Sequence, residues 1–297
     1  SYRNRWVRTT KWQAEHDAGR ALFGGFGRKL PDAPADITTD GCVANTNIIF
    51  HGGKLLALVE SHLPTEIEPG TLNRLGYCDY KGAISGPFSA HPKIDPVTGE
   101  LVFFGYNAAG PLTPVLSYGA IDASGVVKRF ERFEAPYASM VHDFIVTENH
   151  VLFPILPITG SVQRAMRGQA PYAWEPEKGA YVGVMKRSGS SKDIVWFRAE
   201  TCYVFHVMNA WEEGNRIIAD VLAAWRRRGT DPGGRSQPLH HQGRRSRRDG
   251  HRPLRARRRP RARRRPPSAR WPRAPRPRPV ERRDARVDDP VRGRDLH

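Results

Sequence analysis

Three histidines stand in similar surroundings. His91 lies between Pro87-Phe88-Ser89-Ala90 and the turn Pro92-Lys93-Ile94-Asp95-Pro96, His142 within Ser139-Met140-Val141-His142-Asp143-Phe144-Ile145, and His206 within Cys202-Tyr203-Val204-Phe205-His206-Val207-Met208-Asn209. Each is within or beside an apolar run of β character, where an imidazole must find a partner or its burial costs free energy. Neutral imidazole is the commonest metal ligand and suits iron, copper and zinc alike. No HxH, HExxH or His-plus-carboxylate spacing accompanies the three, so the pattern itself names no metal. A histidine beside an apolar run is more often a hydrogen-bonded core residue than a ligand, and on pattern alone the two readings stand level. His51, His62 and His150 sit in turns or polar loops and read as surface residues.

The elements that must position these side chains are strands. A turn followed by an apolar, β-branched run recurs at Gly53-Lys54-Leu55-Leu56, Gly99-Glu100-Leu101-Val102, Asn149-His150-Val151-Leu152 and Gly214-Asn215-Arg216-Ile217, at intervals of 46, 50 and 65 residues. That period fits a four-stranded propeller blade, while the scarcity of 3.6-residue periodicity argues against βαβ units. The histidines are 51 and 64 residues apart, about one blade each, so inner strands converging on a propeller axis bring them to one point. The expected class is all-β. A sandwich with long loops fits the pattern as well. The clearest helical stretch runs from Thr10 to Leu22, with Trp12, Ala18 and Leu22 on one face.

Composition divides the 297 residues into two unlike parts. Residues 226–297 hold 26 Arg, no Lys and seven acidic residues, a surplus of 19 in a chain of net charge +18, which leaves residues 1–225 at −1. A near-neutral body of residues 1–222 is therefore followed by an Arg/Pro-rich tail, 223–297. The tail lacks Phe, Tyr, Ile, Met and Asn, so it has little to bury against the entropy of folding and is predicted to be disordered. Three readings compete for it: a nucleic-acid-binding arm, an inert low-complexity extension, and translation out of frame. Arg without Lys, together with the loss of residues that share A/T-rich codons, favours the third. No run of 18 apolar residues occurs, and the first residues, Ser1-Tyr2-Arg3-Asn4-Arg5-Trp6, read as a segment cut from a longer chain. Cys42, Cys78 and Cys202 are far apart without CxxC spacing, so a reducing cytoplasm is the expected compartment.

The phrases Ala90-His91-Pro92-Lys93-Ile94-Asp95-Pro96-Val97-Thr98-Gly99-Glu100-Leu101, Val141-His142-Asp143-Phe144 and Phe205-His206-Val207-Met208-Asn209-Ala210-Trp211-Glu212-Glu213-Gly214 resemble the carotenoid cleavage oxygenases. Tyr2-Arg3-Asn4-Arg5-Trp6-Val7-Arg8-Thr9 and Gly41-Cys42-Val43-Ala44-Asn45-Thr46 are similar to the bacterial lignostilbene dioxygenase branch of that family. The resemblance implies a seven-bladed β-propeller with iron(II) on its axis, held by four histidines, and cleavage of a conjugated C=C bond by O2 to two carbonyl products. It implies that His91, His142 and His206 are three of the ligands, and that Glu60 is a glutamate accepting the second N–H of a ligand ring. Asp143, next along the strand from His142, is expected to point elsewhere.

Members of that branch hold a phenol with a lysine immediately before this glutamate and with a tyrosine upstream. Here Val59 and Phe26 occupy those places, which shifts the expected substrate to an apolar apocarotenoid or a stilbene lacking a free phenol. The family's fourth histidine lies beyond the point where this chain turns to Arg and Pro. About half of the blades are thus expected, in an open ring with exposed edges. The chain as written is expected to have little or no activity. O2, an apolar conjugated small molecule and peripheral membrane contact for its uptake are the expected partners, with no specific nucleic acid. The alternatives are a non-catalytic propeller binding module and nucleic-acid binding through the tail.

Overall fold

Leu101–Tyr106 is buried along its whole length, which a strand permits only when both of its faces are covered. Leu101 and Phe103 pack into one apolar cluster with Leu56, Leu58 and Phe88, whereas Val102, Phe104 and Tyr106 pack into another with Phe144, Val151 and Phe153. Period-two alternation thus divides one strand between two neighbouring sheets.

The structure, a computed structural model, describes residues 2, 4–24, 29–35 and 41–224. After a short helix, α1 (Thr10–Ala18), three four-stranded antiparallel sheets follow along the chain. The first comprises β1 (Asn47–His51), β2 (Lys54–Leu58), β3 (Thr65–Ile67) and β4 (Arg74–Tyr77) in sequence order. The second comprises β5 (Lys93–Ile94), β6 (Leu101–Tyr106), β7 (Val115–Ile121) and β8 (Val127–Glu134), again in order. The third joins β9 (Ile145–Val146), β10 (His150–Ile155), β13 (Ala180–Lys186) and β14 (Val195–Ala199); between β10 and β13 it carries an insertion of β11 (Ile158–Gly160), α2 (Val162–Met166) and β12 (Tyr172–Trp174). A fourth unit is a hairpin of β15 (Tyr203–Glu213) and β16 (Arg216–Ala224). The sheets are blades of a β-propeller, and the described part is a portion of the ring.

Gly53, Gly99, Asn149 and Gly214 each lie in the turn between the first and second strands of a unit. The sequence intervals are therefore blade repeats, and the longest is stretched by the β11–α2–β12 insertion. Gly105 shows how closely the segment leading into the second blade lies against β6: a Cβ there would lie 2.1 Å from the backbone oxygen of Pro87.

Two expectations are corrected. The helix foreseen to Leu22 stops at Ala18, because Gly19 takes the left-handed conformation (φ 63°) and its N–H caps the carbonyl of His16. Leu22, beyond the helix, is buried. His51 is not a surface residue: it is 6% exposed, and its Nε2 lies 2.9 Å from the carbonyl oxygen of Gly99 in the next blade's first turn. His62 and His150 are half-buried, the former stacked on Tyr77 and the latter beside Glu212. Phe26 and the tail residues from 225 onward lie outside the described residues, as do the expectations placed on them. No helix among the described residues is long and apolar enough to cross a membrane.

Polar latches join each blade to the next at these first turns. Glu212 of β15 accepts from Asn149 N and Nδ2, and Arg187, just past β13, donates to Asp95 Oδ2 at 2.8 Å and to Glu100 Oε2 at 2.5 Å. The Arg187 hydrogen bond holds the Asp95 carboxyl at a pKa of about 2, down from the ordinary 3.8. A carboxyl depressed on folding stabilises the fold above its unfolded pKa and loses that contribution as pH falls to its folded one. Between about pH 4 and pH 2 the urea midpoint of the wild type is therefore expected to drop more steeply than that of Asp95→Asn. Parallel curves would show that the latch contributes nothing to stability.

Candidate metal centre

His91 follows the buried triplet Phe88-Ser89-Ala90 and stands two residues before β5. Its backbone is pinned: Ser89 N donates to Phe104 O, His91 N donates to Ser89 Oγ at 2.9 Å, and Asn47 Nδ2 donates to Ala90 O at 3.0 Å. His142 precedes β9 and is fixed similarly, with Met140 N donating to Ile158 O and Tyr203 Oη donating to Met140 O. His206 sits inside β15, where Val204 pairs with Ala223 but Val207 pairs with Val221, so that Phe205 and His206 oppose Leu222 alone. This is a β-bulge, a device that re-aims a side chain at the cost of one ladder step.

The three imidazoles converge. Ring centroids are 4.6 Å apart for His91 and His142, and 5.0 Å for each of the other two pairs, with interplanar angles of 62–78°. One ligand nitrogen from each lies within 4.8 Å of the other two, and His91 Nε2 is 3.0 Å from His142 Nε2. Two nitrogens at right angles around one divalent ion, each about 2.1 Å from it, are about 3.0 Å apart. Among the described residues this is the one group of three or more His, Cys, Asp or Glu side chains so arranged. His91 and His142 are half-buried, while His206 is exposed and leaves one side of the group open.

Glu60, just past β2, fixes one ring. His142 Nδ1 donates to Glu60 Oε2 at 2.6 Å, and the other oxygen, Oε1, accepts from Tyr106 Oη at 2.8 Å. Nε2 of His142 is thereby left facing the group, the arrangement in which a carboxylate orients a ligand imidazole. Electrostatics differ from ring to ring. Burial pushes the pKa of His91 down, opposed by Asp143, whereas the Glu60 hydrogen bond pushes that of His142 up against burial. A lowered pKa favours the neutral imidazole, the form that binds a metal. Glu60→Gln removes the charge but keeps the shape, and it is expected to weaken Co(II) binding by about 10–100-fold. An unchanged titration would show that Glu60 does not act on the ring.

Val59 is placed apart. It packs in the first blade with Cys42, Ala44, Ala57 and Ile67, while Glu60 beside it faces the histidines. Asp143 is buried and turned from the rings: it accepts from Lys93 Nζ, Phe144 N and Val207 N. Sequence reasoning missed Tyr106, although a signal was there. Glu60 and Tyr106 both stand seven residues after a blade-marking glycine, Gly53 and Gly99, so equivalent strand ends of adjacent blades bring them together. A cleft of about 1180 Å³ runs past the inner strands, lined among others by Lys93, Phe144, Val207 and Met208 but by none of the three histidines.

Known proteins share this arrangement of chain. Isoeugenol monooxygenase of Pseudomonas putida is 47% identical over 220 residues, which are 74% of this chain and 46% of that protein. Resveratrol cleavage oxygenase 1 of Aspergillus fumigatus is 40% identical, over 73% of this chain and 44% of that protein. The crystal structure of Pseudomonas brassicacearum lignostilbene dioxygenase superposes with a TM-score of 0.68 at 37% identity, covering 74% of this chain and 46% of that one. The chain thus spans about half the length of the curated relatives it matches. The family described as "RPE65: Retinal pigment epithelial membrane protein" matches residues 1–270, a span that runs past the described residues. With a propeller fold that superposes on the lignostilbene dioxygenase structure and this extent of matching sequence, the chain belongs to the RPE65 family, that of the carotenoid cleavage oxygenases.

Proposed function

We propose that this chain is the iron-binding portion of an oxygenase that splits a conjugated carbon–carbon double bond with O2 into two carbonyl products. One observation carries the reading: imidazoles from three successive blade units bring their ligand nitrogens within 4.8 Å of one another. Three neutral donors with no carboxylate among them suit a divalent first-row ion. When bound, iron(II) supplies the electron density that O2 needs to react with an alkene. The chain's own part is to hold His91, His142 and His206 in place, with the Glu60–Tyr106 pair fixing one ring and the exposed flank of His206 leaving an approach.

Relatives named for isoeugenol, resveratrol and lignostilbene favour an aryl alkene over a polyene as the substrate class. The described residues offer three imidazoles where the family resemblance implies four, so the 297-residue polypeptide is expected to hold iron with little turnover. Residues 223–297 are read as an out-of-frame product although the family match extends to residue 270, and the nucleotide sequence downstream of Val221 tests between the two.

Anaerobic loading of the full chain with Fe(II), followed by gel filtration and metal analysis, is expected to give one iron per chain. Sub-stoichiometric metal at every Fe(II) concentration would sink the metal reading. Rapid O2-dependent aldehyde release from an aryl alkene by these 297 residues would overturn the three-ligand account.

A further inference from the structure

We propose that Asp143 is a positioning residue whose carboxylate sets the mutual spacing of the three histidines, and through that spacing the metal affinity of the site. The inference rests on the metal reading above. Asp143 directly follows His142 and is 5% exposed. Its Oδ1 accepts from Lys93 Nζ at 2.7 Å and from Phe144 N at 2.8 Å, and its Oδ2 accepts from Val207 N at 3.0 Å. Lys93 is two residues after His91, and Val207 is the residue after His206. One carboxylate therefore grips the chain beside each of the three histidines, on three different blade units.

Physical reasons make this grip specific. A buried carboxylate without partners is costly, so its three hydrogen bonds, one of them the ion pair with Lys93, act together to hold the strands at one separation. Charge-assisted hydrogen bonds are roughly twice as strong as neutral ones, and the two that reach other blades run to β5 and β15. The bulge at His206 leaves β15 without a regular ladder at that point, and Val207 N is the first backbone group after it to be tied to another blade. Lys93 is braced in turn, its Nζ lying 5.7 Å from the ring centroid of Phe144. Lys93, Phe144 and Val207, the three residues that donate to Asp143, all line the cleft, which the histidines do not.

Co(II) is the probe, because its visible absorption reports the geometry of its ligands, and the 297-residue chain is titrated with it. Wild type is expected to bind one Co(II). Asp143→Asn, which keeps the size but cannot accept from Lys93 and Val207 together as a charged group, is expected to bind about 10–100-fold more weakly with an altered spectrum. Lys93→Met, which leaves Val207 tied, is expected to fall between the two. If Asp143→Asn does not fold, Lys93→Met alone decides, and wild-type affinity and spectrum in that variant overturn the inference. Asp143→Asn that folds and binds as wild type does overturns it too, while leaving the metal reading intact. Failure of the wild type itself to bind Co(II) removes both.

Discussion

Replacing His91 with alanine is expected to weaken divalent-metal binding by more than about 100-fold, since losing even an outer partner of a ligand costs about 10–100-fold. The His91 ring faces the other two imidazoles, with its Nε2 3.0 Å from that of His142. In the metal-free chain His91 Nε2 lies in hydrogen-bond range of His142 Nε2, so the alanine variant is expected to unfold at an unchanged or slightly lower urea concentration. With metal present the gap widens. A ligand at about 100 times its Kd adds about 2.7 kcal/mol to the stability of the fold that binds it. The wild type is therefore expected to gain thermal stability on addition of Co(II), and His91→Ala is expected to gain none. Equal Co(II)-induced shifts in the two proteins would show that the metal is held elsewhere.

Much of the fold could be read in the sequence because blades repeat a physical constraint. The three four-stranded blades each turn tightly from a first strand into a largely buried second strand, so a turn residue followed by an apolar run recurs from blade to blade. The histidines belong to the same logic: His91 and His206 precede their marking glycines by eight residues, and His142 precedes Asn149 by seven. What periodicity could not supply was the insertion. Residues 158–174 form a hairpin with a short helix that obeys its own local rules, and from the chain alone they only lengthened one interval.

The partners of the histidines were less legible, for a reason of distance. Glu60 could be found through family resemblance, but its hydrogen bond to His142 spans 82 residues. Asp143 was expected to point away from the rings, and it does, but residues 141–144 lie outside any strand and its hydrogen bonds to Lys93, Phe144 and Val207 turn it, not strand alternation. Nothing local, however, signalled that it would meet Lys93 and Val207, which lie 50 and 64 residues away in other blades. His51 was misread because a histidine at a strand end beside two glycines looks solvent-exposed. Only the stacking of the next blade's turn buries it. Pairings between blades depend on how the sheets pack face to face, and a single blade's sequence does not contain that information.

Phe153→Ala is expected to destabilise the fold by about 3–5 kcal/mol, a large share of the roughly 5–15 kcal/mol that holds a typical domain. Phe153 is fully buried in β10 and is surrounded by aromatic rings on both sides of a blade interface. Its ring lies 4.9 Å from that of Phe133, 6.0 Å from Tyr118, 6.4 Å from Phe144 and 6.5 Å from Phe104. Rigid rings held by three strands and the segment leading into β9 collapse poorly into a void, so most of the cavity would remain. Phe153→Leu, which fills more of that space, is expected to cost less. The site should feel the change, because Phe144 leans on Phe153 and stands two residues after His142. Metal affinity is accordingly expected to fall modestly alongside stability, by less than the His91 variant loses. Urea unfolding of the metal-free proteins measures the first effect and Co(II) titration the second. A loss below about 1 kcal/mol would mean that this aromatic cluster relaxes freely and does not act as a rigid wedge between the second and third blades.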